Sequence, residues 1–228
     1  MEEDYLLHGV LFRSANDAEL GTIFARHSPG WNGGVVATHS APCYNRGRSD
    51  FVRILGVDTG LAETGYGVID ADDGDCRIVE AGVISTGAGE ELADRLGRIH
   101  RALGAVMDEF EVECAVVEDI YSKYKHPRTA IMMGHARGVI ILTAAERNLP
   151  VHSYPASLVK KSLTGSGRAS KEQVRGLVER TLHLRGDTGP SHVSDALALA
   201  ICHASPSRSD DQLRDVLARA TRRKGGAR

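Results

Sequence analysis

The 228-residue chain has no dominant charge: 28 Lys and Arg stand against 30 Asp and Glu, for a net charge of -2 and a pI near 6.6. Nothing global therefore announces a polyanionic partner, and any nucleic-acid contact must rest on local patches. Paired cysteines are also missing. Cys43, Cys76, Cys114 and Cys202 are widely separated with no C-x-x-C spacing, which argues against a structural zinc site or a disulfide framework and suits packing residues in a reducing compartment. The longest apolar run, Val139 to Ala145, is far below membrane-spanning length. The opening MEEDYLL is acidic and the apolar piece after it is broken by His8, so it does not read as a signal peptide. These absences point to a soluble, cytoplasmic protein with no membrane partner.

What is present divides into three stretches. Residues 1–50 are rich in Gly, Ser, Asn and His with no sustained period, and read as a poorly ordered extension. From Phe51 the texture changes: strands are predicted at about 52–58, 64–70 and 76–84, forming an antiparallel meander. Leu92, Leu96, Ile99, Leu103 and Val106 then recur at helical spacing, Cys114 to Val117 reads as a fourth strand, and 128–147 as a helix with Gly134 and Gly138 among its small residues. A fifth strand over 150–154 is followed by helices at 155–163, 170–182 and 191–203, the second opened by Ser170 with Gln173 at the capping-box position. The charged tail from 206 to 228 has room for one more amphipathic helix around 209–221. The pattern predicts an α/β domain over 51–205, a mixed five-stranded sheet flanked by helices.

Asp58 closes the first strand before a Thr-Gly turn, Glu118 closes the fourth, and Asp195 falls in what reads as the first turn of the last helix, with His192 three residues earlier on the same face. Each has an ordinary explanation: a turn carboxylate, a strand-end carboxylate, a helix-dipole carboxylate, a surface histidine. Each also has a functional one. Hydrolysis of a phosphodiester with two Mg²⁺ ions needs three or four hard ligands, mainly carboxylates, converging from rigid elements. After Glu118 comes YSKYKHPR, in which Tyr121, Lys123, Lys125 and Arg128 interleave cations with aromatic rings, a mixture suited to distorted or single-stranded DNA. The segment from Lys160 to Lys171 brackets a Gly-rich loop with cations, without the Walker order of a nucleotide-binding loop.

Four blocks, ILGVDTGLAETGYGVID, AVVEDIY, MMGHARGVIILTAAERNLPVHSYPASLVKKSLTGSGRASKEQV and PSHVSDALALAICHA, together resemble the RuvC Holliday junction resolvases in order and spacing. The resemblance covers about residues 52–205. It implies an RNase H-like fold and a homodimeric endonuclease of recombination and repair. That enzyme would bind four-way DNA junctions and nick two opposing strands, leaving 5′-phosphate and 3′-hydroxyl ends. It implies Mg²⁺ as cofactor, two ions per subunit, with Mn²⁺ as a substitute, held at Asp58, Glu118 and Asp195, the fourth position falling on His192, where many members carry aspartate. It marks Tyr121 as an aromatic near the junction centre, Lys160 and Lys171 as backbone-contacting or catalytic-support positions, and RuvA and RuvB as partners.

Rival readings remain. A sugar-kinase or Hsp70-like ATPase opens similarly but needs a second such lobe, and the chain has no internal repeat. An RNase H-like nuclease acting on RNA would share the fold. A junction-binding protein with a weakened site would share the ligand positions except at His192.

Overall fold

The computed structural model of the chain describes residues 5–7, 10–15, 51–72, 75–120, 127–184 and 190–205. Seven strands are described: β1 (Tyr5–Leu7), β2 (Val10–Ala15), β3 (Val52–Asp58), β4 (Glu63–Asp72), β5 (Asp75–Ser85), β6 (Cys114–Glu118) and β7 (Val151–Tyr154). Five helices accompany them: α1 (Leu92–Glu109), α2 (Pro127–Ala145), α3 (Ala156–Thr164), α4 (Lys171–Thr181) and α5 (Ser191–Ala204). The strands form one mixed sheet in the order β1-β2-β5-β4-β3-β6-β7. β3, β4 and β5 make the expected antiparallel meander, while β6 joins β3 and β7 joins β6 in parallel. Strands β3 to β7 are the five-stranded sheet that the sequence predicts. β1 and β2 come from the N-terminal extension and lengthen that sheet, β2 lying parallel to the outer edge of β5. The rest of 1–50 and the helix expected at 209–221 lie outside the described residues.

Side chains alternate across β3, and both faces are covered, which explains its unbroken apolar run. Leu55 and Val57 point into a core shared with Ile99, Leu103, Val106 and Ile140 of α1 and α2. Ile54 points the other way, into a core built with Val159, Val174, Val178, Leu197 and Leu199 of α3, α4 and α5. Cys114 and Cys202 belong to this second core, as does Cys76. Burial pushes the Cys76 and Cys114 thiols up to about 11, as expected of packing residues. The capping box at Ser170 and Gln173 is formed, each side chain bonding the other residue's backbone N–H, and it fixes where α4 starts.

On the second face α5 lies almost flat on the sheet, and glycine is the reason. Gly56 of β3 pairs with Gly67 of β4, and Asp58 pairs with Gly65. A Cβ on Gly56 would stand 2.0 Å from the Ala196 carbonyl oxygen, and one on Gly65 would stand 2.2 Å from that of His192. At Gly67 it would meet Leu197 at 2.5 Å. The helix answers with small residues of its own, Ala196 and Ala200, against Gly56. Replacing Gly56 with alanine should force α5 off the sheet, because the obstruction is backbone that cannot rotate away. The expected cost is about 3 kcal/mol of stability, read as a lower urea midpoint with an unchanged slope.

Candidate active site

Val57 of β3 sits opposite Val117 of β6, so the next residues, Asp58 and Glu118, leave the sheet side by side at one edge. Each is the last residue of its strand, as the sequence predicts. α5 begins at Ser191 after Pro190, which places His192 in its first turn and Asp195 one turn further on. This corrects the reading of Asp195 as a first-turn residue: the first turn of α5 holds no acidic side chain. The helix-dipole explanation for Asp195 therefore fails, since that effect fades within the first turn. Asp58, Glu118, His192 and Asp195 all line one cleft of about 530 Å³, together with Glu63, Lys160 and Lys171.

Within the cleft three of the acids meet basic side chains. His192 Nδ1 lies 2.7 Å from Asp58 Oδ2, and its Nε2 lies 3.3 Å from Glu63 Oε2. Lys171, the first residue of α4, donates from Nζ to Asp195 Oδ2 at 2.9 Å. Behind Glu118, Arg137 of α2 donates to the Glu118 carbonyl at 3.1 Å and to Ser153 Oγ at 2.6 Å, with Asp119 3.4 Å away. That guanidinium ties the ends of β6 and β7 to α2 and so holds Glu118 in place.

The electrostatics follow from this crowding. Burial, reinforced by the neighbouring charges of Asp58 and Asp195, pushes the Glu118 carboxyl up to about 7. The hydrogen bond to Asp58 raises His192, against the opposing effect of burial. Lys171 is likewise raised, mainly by its bond to Asp195. Three carboxylates that repel one another in a half-buried cleft form a site short of positive charge. Their hard oxygens, with no cysteine among them, suit a divalent cation such as Mg²⁺. The oxygens do not close on one point here, because Asp58 and Asp195 are turned to His192 and Lys171. Among the described residues no three His, Cys, Asp or Glu side chains are gathered as a metal cage.

The cationic positions divide. Lys160 lines the cleft wall on α3, and Lys171 keeps 67% of its side chain exposed while reaching Asp195. Arg128 is exposed at the start of α2. Tyr121, Lys123 and Lys125 lie outside the described residues. Two contributors were not singled out in the sequence, Glu63 and Arg137. Glu63 had a signal, since a tight hairpin after Asp58 returns the chain to the same edge. Arg137 had none, because its partners are a backbone carbonyl and residues of two other elements.

The family model described as "Crossover junction endodeoxyribonuclease RuvC" matches residues 54–203. The chain is 44% identical over 149 residues to the protein of that name from Rhodopirellula baltica, covering 65% of this chain and 84% of that one. It is 42% identical over 168 residues to its namesake from Paramagnetospirillum magneticum, covering 74% of this chain and all of that one. Among solved structures, T. thermophilus RuvC in complex with Holliday junction substrate superposes with a TM-score of 0.66 at 33% identity. That alignment covers 70% of this chain and 96% of the other.

The Glu118 shift generates a stability test. Its folded-state value of about 7 exceeds the ordinary 4.5, so the folded state binds the proton more tightly. The stabilising contribution is full at low pH and is lost as pH rises from about 4.5 through about 7. Glu118→Gln should therefore raise the melting temperature of the metal-free protein by several degrees above about pH 8, and leave it nearly unchanged below about pH 4. Thermal melts at both pH values check this; an equal gain at both would trace it to packing instead.

Proposed function

The chain belongs to the RuvC family of crossover junction endodeoxyribonucleases, and on that premise we propose that it resolves Holliday junctions by nicking two opposing strands symmetrically, as a homodimer. Residues 51–205 form the nuclease unit of this reading. The observation that carries it is the gathering of Asp58, Glu118 and Asp195, from β3, β6 and α5, in one cleft beside His192 and Lys171.

Asp58, Glu118 and Asp195 would hold the metal, taken to be two Mg²⁺ ions per subunit with Mn²⁺ as a substitute. Bound there, the metal supplies charge neutralisation at the phosphate and lowers the pKa of the attacking water. The remaining work falls to the chain itself. The sheet edge fixes the separation of Asp58 and Glu118, and α5 sets Asp195 across from them. His192 braces the Asp58 carboxylate through Nδ1. Lys171 and Lys160 bring positive charge to the wall where a phosphate must sit, a contact that carries no base preference. Tyr121, Lys123, Lys125 and Arg128, which follow Glu118 in the sequence, would meet the DNA backbone and an unpaired base. Products would carry 5′-phosphate and 3′-hydroxyl ends.

The second subunit has a surface to meet. Ile131 and Leu142 of α2 are 56% and 53% exposed, and between them Gly134 and Gly138 leave open space where a Cβ would stand. They lie along one helix face at spacings of three and four residues, a flat apolar stripe on which a second copy can pack closely. The same reading takes RuvA and RuvB as partners and a cytoplasmic location. No helix among the described residues is long and apolar enough to cross a membrane.

The decisive assay is cleavage of a synthetic four-way DNA junction with Mg²⁺, with linear DNA duplex and RNA duplex as controls. Paired symmetric nicks on the junction alone are expected. Asp58→Asn should lower the rate by at least about a hundredfold, the loss expected when a charge-stabilising group leaves an active site. Junction binding without cleavage in either Mg²⁺ or Mn²⁺ would make this a binding protein, and preferential cutting of RNA would reassign the substrate. Ile131→Glu should shift the sedimentation coefficient to that of a monomer; an unchanged value would move the dimer contact elsewhere.

A further inference from the structure

The peptide unit that joins Glu118 to Asp119 is held from both sides. Its N–H, that of Asp119, donates to the Tyr154 carbonyl of β7 at 2.9 Å. Its carbonyl, that of Glu118, accepts from Arg137 Nε at 3.1 Å. A trans peptide points these two groups in opposite directions, so the two bonds together fix its plane. The β3–β6 register ends one residue earlier, at Val57 and Val117, and the Glu118 carbonyl lies beyond that ladder. A side chain from α2 stands in for the missing strand. Arg137 is pinned in turn: its Nη2 donates to Ser153 Oγ at 2.6 Å and lies 3.4 Å from Asp119 Oδ1. Its guanidinium stays charged at any pH at which a protein is folded, so the grip does not wait on a proton. Rotation about φ of Glu118 carries Cβ and the carbonyl carbon together, and anchoring the carbonyl therefore anchors the direction in which the side chain leaves the strand.

We infer that Arg137 is a positioning residue that acts through Glu118: by clamping the Glu118–Asp119 peptide unit it aims the Glu118 carboxylate into the cleft, in the direction a divalent cation needs. Its place is within the junction-cleaving reading, on which it rests. Glu118 needs such support more than its neighbours do, because Asp58 and Asp195 are each held at the carboxylate by a basic side chain of the cleft. A second arginine supplies the comparison. Arg147, just past α2, donates to both Asp108 oxygens at 2.8 Å and to the Thr143 carbonyl at 3.1 Å, and its side chain is 25% exposed against 21% for Arg137. It ties α1 to the end of α2 much as Arg137 ties β6 and β7 to that helix, but it touches nothing in the cleft.

The test joins Mn²⁺ binding, read by electron paramagnetic resonance on the full chain without DNA, to hydrogen exchange on the metal-free protein. Arg137→Met, which keeps the apolar stem, should weaken Mn²⁺ binding about tenfold, the loss usual when a group that orients a metal ligand is removed. Arg147→Met should lower the melting temperature but leave Mn²⁺ affinity as it is. In a Glu118→Gln background Arg137→Met should weaken binding no further, because the residue it acts through is gone. In the metal-free protein the Asp119 amide should exchange faster in Arg137→Met and at the wild-type rate in Arg147→Met. Junction cleavage by Arg137→Met should be slow at limiting Mg²⁺ and approach the wild-type rate as Mg²⁺ is raised, with KM for the junction unchanged. Unaltered Mn²⁺ affinity in Arg137→Met, an equal loss in Arg147→Met or in the Glu118→Gln background, or an Asp119 amide indifferent to Arg137 would each overturn the inference, as would a wild type that binds no Mn²⁺. A wild type that binds Mn²⁺ but leaves junctions uncut would defeat the functional reading instead, and the exchange rates would still report on the clamp.

Discussion

The site depends on how closely a helix backbone can approach a sheet. His192 and Asp195 reach the strand-end acids because α5 lies against Gly56, Gly65 and Gly67, at distances no side chain would permit. Two of these glycines are cross-strand partners and the third pairs with Asp58 itself. The seat and the site therefore share a register. A larger residue at Gly56 or Gly65 would meet helix backbone and lift α5, and with it two of the four residues around the proposed metal site, whereas at Gly67 it would meet the Leu197 side chain. Ala196 and Ala200 on α5 continue the same economy of volume, and the buried side chains of Leu197 and Leu199 hold the helix down.

Against that rigid geometry stands an unfavourable charge distribution. Asp58, Glu118 and Asp195 crowd a half-buried cleft, and the chain compensates in part with a hydrogen bond between His192 and Asp58 and with the Lys171 ammonium on Asp195. Glu118 has no such partner among the described cations and holds its proton to about pH 7. An arrangement that destabilises the protein by itself and is relieved by added positive charge is what a cation-dependent hydrolytic site requires. Lys171 is the natural member to exchange partners. Most of its side chain is exposed, and in the proposed junction complex a phosphate would offer it an equivalent anion.

The two ends of the sheet serve different purposes. At one edge β1 and β2 from the N-terminal extension extend the sheet past β5, β2 pairing with it in parallel, so that β5 is not an open edge. Beyond the parallel strands at the other end, β6 and β7 are held by Arg137 to α2, the helix whose outer face carries Ile131 and Leu142. The proposed subunit contact and the side chain that holds the Glu118 backbone thus share one helix.

Much of this was legible in the residues themselves. The run from Ile54 to Asp70 encodes a buried strand, a turn and a returning strand by local pattern alone. Ser170 and Gln173 encode the start of α4 by a two-residue hydrogen-bond exchange, and β6 ends on its acid as its apolar run does. Local periodicity and turn chemistry are short-range, so they survive in the linear order. The sequence likewise identified Asp58, Glu118, His192 and Asp195 as a set, through motifs whose spacing resembles a known family. What it placed wrongly or left out was long-range. Asp195 is a local exception: a helix that starts at Ser191, as predicted, already carries it past the first turn. Lys171 turned out to hold Asp195, and His192 to sit between Asp58 and Glu63, contacts separated by tens of residues. By itself, then, the sequence determined β3 to β7, the five helices and which acids close β3 and β6, but not β1 and β2, which lie in the stretch read as a poorly ordered extension. Only the tertiary structure decided which cation each acid meets, because that depends on the height at which α5 rests on three glycines, a distance no linear pattern records.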